Sequence, residues 1–326
     1  MADLNITILL ASIVAGAAPI VLAALGETIT EKAGVINLSL DGSILLSAMV
    51  AFAFTYQSRS LLLGFLGGAA AGAVVAAIVG AFSIYLGQSQ VAVGFVLTLT
   101  ARDLAYFFGN PFSRLYGPHV SPLPIPLLHK IPFLGSVLFY HSVPVYLSIL
   151  FIGVCWWFLY RTPEGLRLRA VGENPPAAYA RGTHTKRTQM LYTVVGGLMV
   201  GLAGATFSLC TKPGWGRPQG AEGTGWIALA IVIFGGWHPA KVALGAYLFA
   251  FLQVMGIQFQ GWWPSVPAQV FQVAPFPLMI FALVLMYMAQ QRPLHLTEGA
   301  PSVFHRVVRR LSGSAPAALG KPFHPE

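Results

Sequence analysis

The chain has 326 residues, of which 56% are hydrophobic and only 9% charged, and its formal net charge is +9. A typical soluble domain carries about 25% charged residues, and a transmembrane β-barrel alternates apolar and polar residues over segments of about ten. The composition therefore excludes both classes and indicates helices that lie in a lipid bilayer.

Five tracts contain no Asp, Glu, Lys or Arg: residues 4–26, 60–101, 131–160, 188–211 and 242–291. Each exceeds the roughly 20 residues that a helix needs to cross a bilayer. They predict an all-α polytopic membrane protein with about 8–10 transmembrane helices, some of them broken or re-entrant. The candidate spans are residues 4–25, 35–56, 61–86, 90–108, 143–160, 189–210, 224–237, 240–258 and 270–288.

Polar residues interrupt the beginning of the chain. Glu27 and Glu31, with Lys32 beside them, predict a solvated turn after the first span. In the next span Asn37 and Asp41 are four residues apart, a spacing that places both on one face of a helix. Ionisable residues inside a membrane are functional candidates, so both are candidates for the translocation path. A structural role in the helix, such as capping, is favoured over solute contact.

The span at 90–108 also has polar character. Gln90 and Thr98 are candidates for lining a path, although each could equally make a hydrogen bond between helices. Arg102 and Asp103 are adjacent, and adjacent residues on a helix do not face each other. Each is therefore expected to need its own partner, near the outer end of the span.

A basic segment interrupts the hydrophobic pattern in the middle of the chain. Six of the 19 lysines and arginines lie within residues 161–187, and five more lie within 292–321. Basic loops of membrane proteins are cytoplasmic, and this explanation requires no nucleic acid. The pattern predicts a transmembrane domain over residues 1–292, with a cytoplasmic loop at 161–187, and a cytoplasmic tail over 293–326.

The basic loop contains the signals of a short helix. Asn174 is a favourable N-cap, Pro175 suits the first helical position and Gly182 supplies the left-handed residue after the end. A helix from Pro175 to Arg181 is too short to be stable alone in water. It could be a connector whose arginines meet lipid headgroups, or a coupling helix that docks on a cytoplasmic motor subunit.

The remaining motifs predict no chemistry in this chain. The glycine-rich loop 211–225 lacks the spacing of a phosphate-binding loop; it could gate a path, with Trp215 and Trp226 as anchors at the membrane interface. The histidines show no metal-ligand spacing, and no catalytic set can be assembled. We expect a protein that is not an enzyme, with no catalytic residue, no metal and no cofactor.

Several passages resemble the permease subunits of ATP-binding-cassette importers, in the family that holds ribose, branched-chain amino acid and nucleoside permeases. Residues 26–42 are similar to the family's early signature, with Ser39 and Asp41 where Gly and Glu are usual. Residues 165–182 resemble its coupling loop. Residues 225–239 and 318–323 resemble the nucleoside-type branch.

The resemblance implies a function, partners and a place in the cell. The chain would be the permease subunit of an importer of small polar solutes in the bacterial cytoplasmic membrane, and its branch of the family indicates nucleosides as the solutes. Its partners would be an ATPase subunit that binds the ATP, a second permease subunit of different sequence and an external binding protein. The ATPase-coupling residues would be Gly165, Arg167, Arg169, Glu173, Asn174, Pro175, Ala178, Arg181 and Gly182.

Three alternatives remain open on the sequence. A ribose-like sugar could replace the nucleoside as the solute. A stand-alone secondary transporter or channel would use intramembrane carboxylates such as Asp41 and Asp103. A membrane-embedded enzyme would need a catalytic cluster at one depth, and none is found.

Overall fold

The computed structural model describes residues 6–263, 265–267, 270, 273, 277, 281 and 314–321, and these residues form helices and short connections. The helices are α1 (Ile6–Lys32), α2 (Leu40–Ser58), α3 (Leu61–Gly80), α4 (Gln90–Gly109), α5 (Leu134–Leu138), α6 (Val143–Arg161), α7 (Pro163–Glu173), α8 (Pro175–Ala180), α9 (Thr185–Thr206), α10 (Thr224–Phe234) and α11 (Pro239–Trp262). Helices α3 and α9 end in π-helical turns, Ala81–Tyr85 and Phe207–Thr211.

Seven helices in this described part are long and apolar enough to cross a membrane: α1, α2, α3, α4, α6, α9 and α11. The prediction of an all-α polytopic membrane protein is therefore confirmed. The predicted span at 35–56 begins five residues late, at Leu40. The predicted span at 270–288 falls largely outside the described residues.

Helix α10 corresponds to the short predicted span at residues 224–237, and it has 11 residues. At 1.5 Å per residue it is about 16 Å long, roughly half of a bilayer's hydrocarbon core. Its N-terminus lies beside the start of α2, where the amide of Gly225 meets Asp41. Both helices therefore begin inside the protein. Residues 33–39, which lead into α2, are largely buried, whereas residues 212–223, which lead into α10, are mostly exposed or half-buried.

Helix α1 occupies the centre of the molecule, because every residue from Ala17 to Lys32 is buried. It packs on α9, α6, α10 and α11, while α2 and α3 complete the packing around α9. Small residues let α3 approach α9 closely, since Gly68 lies against Ala205 and Gly72 against Gly197 and Gly201. The remaining apolar faces of α3 and α4 point outward, as a membrane protein requires.

Segment 110–142 is an ordered excursion between α4 and α6. It holds two 3₁₀ turns, helix α5 and a two-stranded antiparallel sheet of β1 (Leu123–Pro124) and β2 (Tyr140–His141). It lies at the same end of the molecule as loop 212–223, since the Arg114 amide donates to the Trp215 carbonyl.

Candidate coupling and translocation site

A buried turn, residues 33–39, connects α1 to α2. Helix α1 ends at Lys32, and Gly34 follows with a φ of +89°, the left-handed conformation that glycine adopts freely. The amide of Asn37 then donates to Glu27 Oε1 at 2.9 Å, and Asn37 Oδ1 accepts from the Ser39 amide at 3.1 Å. The prediction that Asn37 shares a helical face with Asp41 is wrong, because Asn37 holds this turn before the helix begins.

Helix α4 fixes the same turn from the other side. The Ile36 amide donates to Gln90 Oε1 at 2.8 Å, and the Thr98 hydroxyl donates to the Leu38 carbonyl at 2.9 Å. Both side chains therefore satisfy backbone groups of the turn, which α-helical bonds do not reach. The predicted path residues Asn37, Gln90 and Thr98 are brought together, each with an internal hydrogen bond.

Asp41 has the capping role that the sequence favoured, but it caps a different helix. Its Oδ1 accepts a hydrogen bond of 3.2 Å from the amide of Gly225, in the first turn of α10. A carboxylate at a helix N-terminus satisfies a free amide and is attracted by the helix dipole. Asp41 is buried, and its carboxylate contacts α10.

Glu27 and Glu31 are not solvated, in contrast to the prediction. Their exposed fractions are 0% and 3%, and Lys32 is buried beside them. Glu31 Oε2 accepts from the indole N–H of Trp237, in the turn before α11. The sequence does contain a signal for this burial, namely the rarity of charged residues in the chain. Two glutamates one helical turn apart in such an apolar sequence are expected to lie inside the protein, where they need hydrogen-bond partners.

The basic loop forms two helices, α7 and α8. The Thr162 hydroxyl accepts from the Gly165 amide and begins α7; Asn174 Oδ1 accepts from the Ala177 amide at 3.0 Å and begins α8. Gly182 is left-handed, with a φ of +84°. The predicted caps are thus confirmed, while α8 ends one residue early because Arg181 already has a non-helical backbone.

The C-terminal end of α7, which leads directly into α8, packs against the end of α1. Gly172 makes this possible, because a Cβ there would lie 2.2 Å from the carbonyl oxygen of Lys32. The Arg169 guanidinium lies over the Tyr160 ring at 5.0 Å, and Arg167 pairs with Glu164 at 3.7 Å. In α8 only Pro175 and Ala178 are buried, so the rest of this helix presents an exposed surface.

Residues 314–321 pack across the base of α8. The Ala318 amide donates to the Gly172 carbonyl at 3.0 Å, and the Gly320 amide donates to the Gly34 carbonyl at 3.1 Å. A third bond joins the Ala317 amide to Glu173 Oε2 at 3.1 Å. This segment therefore ties the end of α7 to the buried 33–39 turn.

The turn between α10 and α11 completes this end of the molecule. His238 stacks on Tyr160, with ring centroids 5.4 Å apart. Burial, together with the positive charges of Lys241 and Lys32, lowers the pKa of His238 below its usual range. The imidazole is therefore neutral near pH 7, as a site beside two lysines requires.

The opposite end of the molecule is built around loop 212–223. The Tyr106 hydroxyl donates to Glu222, which also accepts from the amides of Gln219 and Gly220. Burial alone would raise the pKa of Glu222, but these hydrogen bonds outweigh it and lower the pKa below its usual range. Trp215 is buried against Tyr106, so its predicted role as an interface anchor is wrong.

Arg102 and Asp103 lie at this end and pair with each other. Their Nε and Oδ1 atoms are 3.6 Å apart, and their side chains are 43% and 75% exposed. The expectation that each needs a separate partner is wrong. Adjacent Cα–Cβ bonds on a helix diverge, but the long, flexible Arg102 side chain can bend back to the Asp103 carboxylate.

Taken together, the spanning helices, the broken segments at α2 and α10 and the exposed short helix α8 define a multi-pass membrane permease. The model of one family, branched-chain amino acid transport system / permease component, matches residues 9–284. The chain belongs to this family and is a permease subunit of an ABC transporter in the cytoplasmic membrane.

Three curated relatives share most of their length with this chain. The putative glucose ABC transporter permease protein TsgC13 of Haloferax volcanii is 36% identical over 77% of this chain and 78% of its own. The guanosine ABC transporter permease protein NupQ of Bacillus subtilis is 32% identical over 82% and 88%. The nucleoside ABC transporter permease protein NupC of Lactococcus lactis is 28% identical over 86% and 92%.

A second ABC transporter permease protein from each of these three organisms also matches the chain, at 22–28% identity. No solved structure matches it significantly.

Proposed function

We propose that this chain imports nucleosides, with helix α8 receiving the movement of a cytoplasmic ATPase subunit. The observation that carries the coupling proposal is the construction of α8. It is capped at both ends, exposed over most of its surface and fixed at its base to a buried turn. Such a helix can pass a displacement inward, whereas a loose headgroup-binding loop would absorb it.

The proposed route of coupling runs from α8 to the translocation path in two steps. Glu173 and Gly172 connect the base of α8 to the end of α1 and to residues 314–321. The end of α1 continues into the 33–39 turn, which Glu27, Gln90 and Thr98 hold. Asp41 extends this contact to α10. We infer that these side chains shape the path by positioning α2 and α10, without touching the solute.

The same proposal assigns the partners. Residues 161–187 lie in the cytoplasm and meet the ATPase subunit, which binds the ATP. The matched pairs of permease proteins in three organisms support a second permease subunit of different sequence. An external binding protein delivers the solute. The names of NupC and NupQ support nucleosides as the solute class.

A sugar is the second candidate solute, because TsgC13, named as a putative glucose permease, has higher identity than NupC or NupQ. Nucleosides and sugars share ring hydroxyl groups, so one permease path could suit either class.

Uptake into membrane vesicles tests the proposal. The vesicles contain this chain with its second permease and ATPase, and they receive the binding protein with labelled nucleosides, ribose or glucose. We expect nucleoside uptake that needs ATP and every component. Uptake of sugars without uptake of nucleosides would show that a sugar is the solute. Uptake by this chain without ATP or any partner would contradict both candidates.

A further inference from the structure

The exposed charges of α4 are unusual for a membrane-spanning helix. Asp103 lies in the C-terminal half of α4, six residues before the helix ends at Gly109, a distance of about 9 Å along the axis. Its carboxylate is 75% exposed. A charged side chain that faces lipid within a spanning helix is costly and rare, and those found in membranes face protein or water.

Asp103 opens into a groove, which we call the α4 groove, of about 440 Å³. Its lining residues are Asp103, Tyr106, Phe107, Asn110 and Arg217. This volume is within the range of ligand sites, about 300–1,000 Å³. The groove is open along one side of α4, and it offers polar side chains and room for a small solute.

The walls of the α4 groove are held in place by other contacts. The Arg217 guanidinium lies 4.8 Å from the centre of the Tyr106 ring, and the Tyr106 hydroxyl donates to Glu222. Glu222 in turn accepts from the amides of Gln219 and Gly220. One wall thus joins α4 to loop 212–223, so its geometry does not depend on a ligand.

The α4 groove lies at the end of α4 remote from α8. The first residue of α4, Gln90, bonds to the 33–39 turn beside α7, whereas Gly109 at the last turn packs on Trp215. If α8 faces the cytoplasm, as proposed above, the groove faces the side from which an importer receives its solute.

The side chains of the α4 groove suit a neutral solute with hydroxyl groups and a flat ring. The Asp103 carboxylate accepts hydrogen bonds from hydroxyls, and Arg217 and Asn110 donate them. Phe107 is 74% exposed and offers an aromatic face, on which any nucleobase can stack. A hexose would use the polar groups but would lack the flat ring.

We propose that the α4 groove binds the solute in its outer, first position on the path, and that Asp103 and Phe107 select nucleosides there. This inference rests on the proposed function and adds a specific binding site to it.

Thiol labelling of the assembled transporter tests whether the groove is open to water. In a variant lacking Cys155 and Cys210, the two free cysteines, Asp103→Cys is compared with Leu104→Cys at almost the same depth. We expect a membrane-impermeant maleimide to label position 103 at least tenfold faster than 104. Nucleoside-loaded binding protein should slow that labelling. Equal, slow labelling at both positions would contradict the proposal, because lipid or the second permease would then cover the groove.

Uptake measurements test whether the α4 groove selects the solute, and they distinguish a failure of this inference from a failure of the proposed function. We expect Asp103→Asn and Phe107→Ala each to raise the KM for nucleoside uptake about tenfold, with the maximal rate changed less than twofold. Lys130→Gln, an exposed charge outside the groove, should leave both unchanged. An unchanged KM in both groove variants, with active nucleoside uptake by the wild type, would overturn this inference alone. Absence of nucleoside uptake by the wild type would instead overturn the proposed function.

Discussion

The two ends of this protein use charged residues in opposite ways. At the end that contains α7, α8 and the 33–39 turn, Glu27, Glu31 and Lys32 are buried. Glu27 accepts from a backbone amide and Glu31 from an indole N–H. At the other end, Arg102 and Asp103 are exposed and pair only loosely. The first arrangement fixes a structure, while the second leaves its groups available to a solute.

This difference has an energetic consequence. Removing one partner of a buried polar contact leaves the other without a hydrogen bond, at a cost of about 1–3 kcal/mol. An exposed ion pair contributes only about 0–1 kcal/mol. Substitutions near α1 should therefore affect stability and coupling, whereas those in the α4 groove should affect the affinity for solute.

The largest effect is expected from Glu27→Ala. The change removes the acceptor of the Asn37 amide and leaves a cavity around a fully buried side chain, which should cost about 3 kcal/mol. Thermal unfolding of the detergent-solubilised complex measures it. Glu27→Gln keeps an acceptor oxygen and should lose clearly less. A loss from Asp103→Ala as large as that from Glu27→Ala would refute the contrast between the two ends.

Gly172→Val should break the junction between α7 and α1. The new Cβ would lie 2.2 Å from the carbonyl of Lys32, so α7 must move away and carry α8 with it. We expect ATP-dependent uptake to fall more than tenfold, about 1.4 kcal/mol of coupling or more, while the chain still inserts. Ala170→Val, at an exposed position of α7, is the matched control. Normal uptake by Gly172→Val would exclude this junction from coupling.

Arg181→Glu tests the exposed surface of α8 itself. Arg181 follows the last residue of the helix, and it is exposed. Reversing its charge should weaken docking of the ATPase and reduce uptake about tenfold, roughly the 1.4 kcal/mol expected of one exposed contact at an interface. Co-purification of the ATPase and ATP hydrolysis per solute imported are the measurements. An equal effect from Arg187→Glu would show that only the net charge of the loop matters.

Local signals in the sequence were sufficient to predict α8 and the membrane class. Asn174, Pro175 and Gly182 act within one or two turns of the chain, and charge-free tracts report directly on the bilayer. The contacts of Glu27, Glu31 and Asp41 could not be predicted in this way. Their partners, Asn37, Trp237 and Gly225, include residues about 200 positions away, and only the folded packing decides which come together.

The α4 groove could not be predicted from the local sequence either. Arg102 and Asp103 are unusual in the sequence of a spanning helix, but their exposure depends on which face of α4 is left open by α2 and α3. Arg217 and Glu222 reach the groove from a loop more than 100 residues later. The polar residues Gln90 and Thr98 are candidates for lining a path or for bonding between helices on the sequence, and in the structure both bond to the 33–39 turn.

The smallest effect is expected from pH at the turn between α10 and α11. The pKa of His238 is lowered by burial and by Lys241 and Lys32, so the folded state favours the neutral imidazole. The unfolded chain takes up the proton more readily, and this contribution to stability is present above about pH 6.5 and is lost as the pH falls below it. The wild type should therefore lose more thermal stability than His238→Gln between pH 7.5 and 5.5. Equal losses would show that protonation of His238 does not oppose the packing of its ring on Tyr160.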